Sequence, residues 1–150
     1  MAPSASSSRP VDFDLAALPE GREEIARLIV KSFADAGFGG PQQIAALANA
    51  IAESGLNPSS MSAPPDQGVG LFQLNRAGGL GTGHTASELE DPANNINLVL
   101  SAARKSDEFA DAASLEDAVS AFVHKIVRPA NPAGETIRRL KIAERLVWSG

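Results

Sequence analysis

The chain has no cysteine and no tyrosine, a single tryptophan and only two histidines among its 150 residues. Without cysteine the fold carries no disulfide and no thiolate chemistry, and nothing ties it to one redox compartment. Two histidines that lack a His-x-x-x-His spacing give no structural zinc site. No apolar run approaches the roughly 18 residues of a membrane helix, and residues 1–10 lack the apolar core of a signal peptide. The expectation is a protein with no export signal of its own. A glycine-rich stretch at residues 78–85 lacks the Gly-Lys-Ser/Thr ending of a phosphate-binding loop, and no G-x-S-x-G elbow marks a serine hydrolase. A net charge of −5 and the absence of aromatics interleaved with basic residues argue against nucleic acid as a partner.

What is present is helix. A chain of this length makes one domain, burying roughly 68 to 70% of its unfolded surface. Residues 1–15 read as a flexible tail and residues 16–150 as the domain. Apolar residues at helical spacing predict a first helix over residues 20–36, ended by Gly37-Phe38-Gly39-Gly40, and a second from Pro41, which suits a first helical turn. Residues 57–70 hold three prolines and must be loop, and residues 69–74 form the one short strand. Asp91-Pro92 starts a third helix, Ser114 a fourth that reaches Ile126, and a fifth covers residues 133–147. Charge is uneven: Lys125, Arg128, Arg138, Arg139, Lys141 and Arg145 make the end of the chain basic, which reads first as a solvated helix face.

The second helix carries the most informative residue. Ile44, Leu47, Ala48 and Ile51 share one face and alanines cover most of the rest, so the helix is expected to be buried nearly all round. It ends on Glu53-Ser54-Gly55. Glu53 is thus a carboxylate at the edge of a core and at the negative end of a helix dipole, and both conditions disfavour its charge. A carboxyl that keeps its proton near neutral pH is what a general acid requires.

Glu53-Ser54-Gly55, followed by Gly70-Leu71-Phe72-Gln73 and then by Asp91-Pro92-Ala93-Asn94-Asn95-Ile96, resembles the lytic transglycosylase and goose-type lysozyme superfamily. With Asn75, Gly78, Gly79, His84 and Arg128-Pro129 the pattern is most similar to phage-tail-type lysozyme domains. The resemblance implies a mainly α, lysozyme-like helical domain with a minimal β-hairpin region. It also implies a muramidase that cleaves the β-1,4 bond between N-acetylmuramic acid and N-acetylglucosamine, with Glu53 as the acid. Gln73, in this family, lines the sugar cleft, and Ser54, Gly70, Phe72, Asn75 and His84 are candidate contacts with it.

Two positions stay open. Asp66 lies near where goose-type lysozymes place a water-orienting aspartate, and a solvated loop residue explains it equally well. The family's late tyrosine has no counterpart here, so Phe122 or His124 is expected on that cleft wall. Implied partners are peptidoglycan strands and phage tail or particle proteins, with no nucleic acid, membrane, metal or cofactor. The implied place of action is the bacterial wall, from a virion or phage-like particle. The competing expectation is a catalytically idle lysozyme-like module that serves such a particle as a structural or wall-binding piece.

Overall fold

The second helix is the axis of the molecule. It runs Gly40–Ser54 (α2) in the computed structural model, which describes residues 8–62 and 67–147. Around it lie α1 (Glu23–Asp35), α3 (Ala86–Glu90), α4 (Pro92–Arg104), α5 (Asp107–Ala110), α6 (Leu115–Ala121) and α7 (Pro132–Val147). A hairpin pairs β1 (Gly68–Val69) with β2 (Leu74–Asn75). The protein is mainly α, as the helical spacing predicts. Every residue of α2 from Gln42 to Ala50 is buried, because small side chains let α1, α6 and α7 approach it from different sides. No helix of the described residues is long and apolar enough to cross a membrane.

Three polar side chains of α2 are buried with the alanines, and each is hydrogen-bonded. Gln42 Nε2 donates to the carbonyls of Phe109 and Ala112, at 3.0 and 2.8 Å, and so ties α5 and the loop after it to the axis. Gln43 accepts from the Val11 amide at 2.8 Å and donates to the carbonyls of Arg9 and Phe38. This corrects part of the expected tail. Residues 8–14 lie against the helices, with Ser8 N donating to Ala34 O at 2.8 Å and Asp14 N to Leu146 O at 2.7 Å. Val11 and Phe13 pack on the core as well.

Phe33, Phe38, Phe72, Phe109 and Phe122 form the aromatic centre of that core, with ring centroids between 5.2 and 6.3 Å apart. Each such pair adds about 0.5–1.5 kcal/mol beyond the area it buries. The expected fourth helix is α6 continued by a π-helical segment, Phe122–Val127, which Arg128 ends in a left-handed conformation at φ 49°. Helices α3 and α5 escape a reading of periodicity because they hold five and four residues. Their caps were the available signal: Thr85 and Glu88 make a reciprocal capping box, and the Ser106 side chain accepts from Phe109 N.

The expected single strand over residues 69–74 is instead two strands of two residues, in register as Gly68 with Asn75 and Val69 with Leu74. Gly70-Leu71-Phe72-Gln73 is the turn between them, with Gly70 at φ 84° and Gln73 at φ 50°. Asn95 of α4 holds this turn from below, donating to the Val69 and Leu89 carbonyls and accepting from Phe72 N. A Cβ on Gly70 would collide with the Asn95 amide and the Leu89 carbonyl. Glycine is needed there for both conformation and space.

Candidate active site

Gly55 ends α2 in the left-handed region, its N–H donating to Ile51 O at 2.8 Å, so the chain turns away directly after Glu53 and Ser54. The Ser54 hydroxyl lies 2.8 Å from Leu71 O and 3.1 Å from Ala50 O. It ties the helix end to the hairpin turn. The Glu53 side chain is 17% exposed, packed at the edge of the core yet open to a solute.

Its nearest charged neighbour comes from the far end of the sequence. Arg139 of α7 is 3% exposed and places Nη1 3.0 Å from Glu53 Oε2. The same nitrogen donates to Asn49 Oδ1 at 2.8 Å, and Arg139 Nε donates to Glu135 Oε1 at 3.0 Å. Arg138 also reaches Glu135 Oε1 at 3.0 Å and sets Nη2 3.5 Å from the Ala52 carbonyl. Arg139 is therefore not part of a solvated basic face. Arg138, Lys141 and Arg145 do lie on the exposed side of α7.

Burial raises the Glu53 pKa above its ordinary value of 4.5, and the charge of Glu135 adds to the rise. The charge and hydrogen bond of Arg139, and more weakly the charge of Arg138, oppose it without reversing it. The proton is favoured because a carboxylate here loses most of its hydration and regains only one strong partner. Burial acts in the same direction on Glu135, but the hydrogen bonds and charges of Arg139 and Arg138 outweigh it and hold that carboxyl below its ordinary value. The two carboxyls are thus pushed apart, one toward the acid form and one toward the charged form.

The remaining sequence candidates divide by what surrounds them. The Ser54–Leu71 bond brings the hairpin turn that holds Gly70 and Gln73 to the end of α2. Gln73 Nε2 donates to the Ser60 and Gly70 carbonyls at 2.9 Å each, and its Oε1 accepts from Ser62 Oγ at 2.6 Å. Both amide hydrogens are thereby used, while Oε1 keeps a second acceptor site. Phe72 and Phe122 are corrected outright: both rings lie in the aromatic core, Phe122 at 0% and Phe72 at 1% exposure, and offer no face to a ligand. His124 is exposed, with Nδ1 2.9 Å from Ser120 O. Asn75 Oδ1 caps its own loop by accepting from Ala77 N, and His84 anchors the glycine-rich loop, its carbonyl accepting from Arg76 Nε. Asp66 lies outside the described residues.

Three residues that matter here, Asn49, Glu135 and Arg139, were not singled out by their sequence. Their signal was the spacing of four residues in Asn49 to Glu53 and in Glu135 to Arg139, which stacks each pair on one helical face. Among the described residues no group of three or more His, Asp or Glu side chains could hold a metal ion. The surface concavity of about 520 Å³ between Leu80, Leu98, Ala102 and Lys125 does not include Glu53, nor does that of about 400 Å³ along Leu18, Pro19 and Arg22. The site is located by its chemistry.

Helices stacked around one that delivers a partly buried glutamate beside a minimal hairpin define a lysozyme-like helical domain. The chain belongs to the phage tail lysozyme family, whose model matches residues 24–148. That span takes in Glu53, Asn49, Glu135 and Arg139 and leaves out the strap at residues 8–14. No match to this chain was found among curated proteins or among solved structures. It is thus a phage-associated, lysozyme-like domain.

Proposed function

We propose that the chain is a muramidase that cleaves the β-1,4 bond between N-acetylmuramic acid and N-acetylglucosamine of peptidoglycan, with Glu53 protonating the glycosidic oxygen. The observation that carries this reading is the environment of Glu53: a carboxyl buried enough to favour its proton, yet 17% open to a bound glycan. Such a group keeps its proton to higher pH than an ordinary glutamate and can release it to a leaving-group oxygen. Membership of the phage tail lysozyme family supports the substrate class and a virion or phage-like particle as the carrier. The chemistry calls for no cofactor, nucleic acid or membrane.

In a hydrolytic route Asp66 orients the attacking water, as the second carboxylate of a glycosidase does. Reducing-end muramic acid among the products supports that role, whereas mainly 1,6-anhydromuramyl products remove Asp66 from the chemistry. The decisive variant is Glu53→Gln, which keeps volume and loses the titrating proton. Clearing of purified peptidoglycan is expected to fall by roughly 10²- to 10⁴-fold at unchanged circular dichroism. Equal clearing by the variant and the wild type would remove Glu53 from the reaction. No clearing by either would favour the idle structural or wall-binding module.

A further inference from the structure

We propose that Arg139 is a positioning residue for Glu53, gripping one carboxyl oxygen so that the other faces the sugar, with Asn49 and Glu135 holding the guanidinium in place. The proposal rests on the reading of Glu53 as the general acid. Its basis is the meeting of two helical pairs. α2 presents Asn49 and Glu53 one turn apart, and α7 presents Glu135 and Arg139 one turn apart. The Arg139 fork binds three of these groups at once: Asn49 Oδ1 at 2.8 Å, Glu53 Oε2 at 3.0 Å and Glu135 Oε1 at 3.0 Å.

Each part of this clamp is itself fixed. Asn49 Nδ2 donates to Ala45 O at 2.8 Å, which turns its Oδ1 to the guanidinium, and Glu135 accepts from Arg138 as well. Arg139, at 3% exposure, has no room to swing. A planar guanidinium offers five donors in a rigid fork, and the single ammonium of lysine cannot copy that geometry. Among the described residues, the charged groups that face Glu53 are Arg139, Arg138 and Glu135 of α7.

The clamp distinguishes the two oxygens of Glu53. Oε2 is ion-paired with Arg139, which leaves Oε1 to carry the acid proton. When the C1–O bond breaks, its electron pair leaves with the glycosidic oxygen, which takes the Oε1 proton. C1 then bonds to an oxygen from water or from the sugar's own 6-hydroxyl, and the proton released there restores the acid. Between these events Glu53 is a carboxylate, and Arg139 is already in place to stabilise it without moving.

The test compares Arg139→Lys, Arg139→Met and Glu135→Gln with the wild type by thermal unfolding, by peptidoglycan-clearing rate across pH, and by ¹³C NMR titration of the Glu53 carboxyl, assigned with Glu53→Gln. Arg139→Lys is expected to fold and to clear about 10²-fold more slowly, the order of loss that a misplacement of about 1 Å produces. Removing the cation in Arg139→Met moves the Glu53 titration, and with it the alkaline limb of activity, to higher pH. Removing the neighbouring anion in Glu135→Gln moves both to lower pH. A merely structural role predicts no such opposed shifts. Arg139 variants that clear within a fewfold of wild type, with an unmoved Glu53 titration, would overturn the proposal. If Glu53→Gln remains lytic the general-acid reading fails instead, while the NMR titration still reports whether Arg139 governs the carboxyl. Should neither Arg139 variant fold, the downward shift in Glu135→Gln decides, and its absence counts against the clamp.

Discussion

The Gln73 amide is tied into the fold by three hydrogen bonds. Its two bonds to the Ser60 and Gly70 carbonyls and its bond from Ser62 lash the loop after α2 to the hairpin turn. Gln73→Ala is therefore expected to act through stability. It leaves two carbonyls and a hydroxyl short of a partner, at a cost of about 1–3 kcal/mol, nearer the lower end because the position is only partly buried. Urea unfolding should show that loss, and clearing should fall with it. An enzyme of wild-type stability and impaired turnover would instead return Gln73 to the sugar. Glu53 differs in kind: among the described residues its one side-chain partner is Arg139, on Oε2.

The hairpin turn, though only a few residues long, acts as a strut between two helices. α4 supports it through Asn95, and the turn supports the end of α2 through Leu71 O and Ser54. Gly70→Ala would force a side chain into the Asn95 amide and the Leu89 carbonyl at a left-handed φ of 84°. A loss of at least about 2 kcal/mol is expected, combining strain with the displaced Asn95 bonds. The same substitution should lower clearing more than stability alone explains, because Ser54 loses its hold next to Glu53. A Gly70→Ala variant that melts with the wild type would mean that α4 does not brace the turn.

At the scale of the molecule, the opposed shifts of Glu53 and Glu135 contribute opposite limbs to the pH dependence of folding. Glu135 is lowered in the fold, so its contribution is present above the unfolded value of 4.5 and is lost as pH falls through its folded value. Glu53 is raised, so its contribution is complete below 4.5 and is lost as pH rises through its folded value. Glu53→Gln stands in for the protonated acid. It is expected to be at least as stable as the wild type at pH 7, and to lose the decline that the wild type shows as Glu53 ionises. Thermal midpoints recorded from pH 3 to 9 would check both limbs, and a Glu53→Gln variant that is less stable at pH 7 would show that the Arg139 bond outweighs burial.

Local features of the sequence determined the main helices, because periodicity, Pro41 and Pro92 at first turns and Gly55 at an end act within a few residues of themselves. Glu53 was also legible, since an alanine-rich helix that must be buried carries its last turn to the edge of the core. The glycine of the turn could be seen as well, but not why it was needed. Asn95 meets Gly70 across 25 positions, and Arg139 meets Glu53 across 86. Contacts that distant leave no periodic trace, so only the packing of α7 on α2 decided that one arginine of a basic stretch is buried on the acid. Tertiary packing likewise turned Phe122 into the core, against Phe33, Phe72 and Phe109, because each side chain's partners are set by which elements meet and not by its neighbours in the chain.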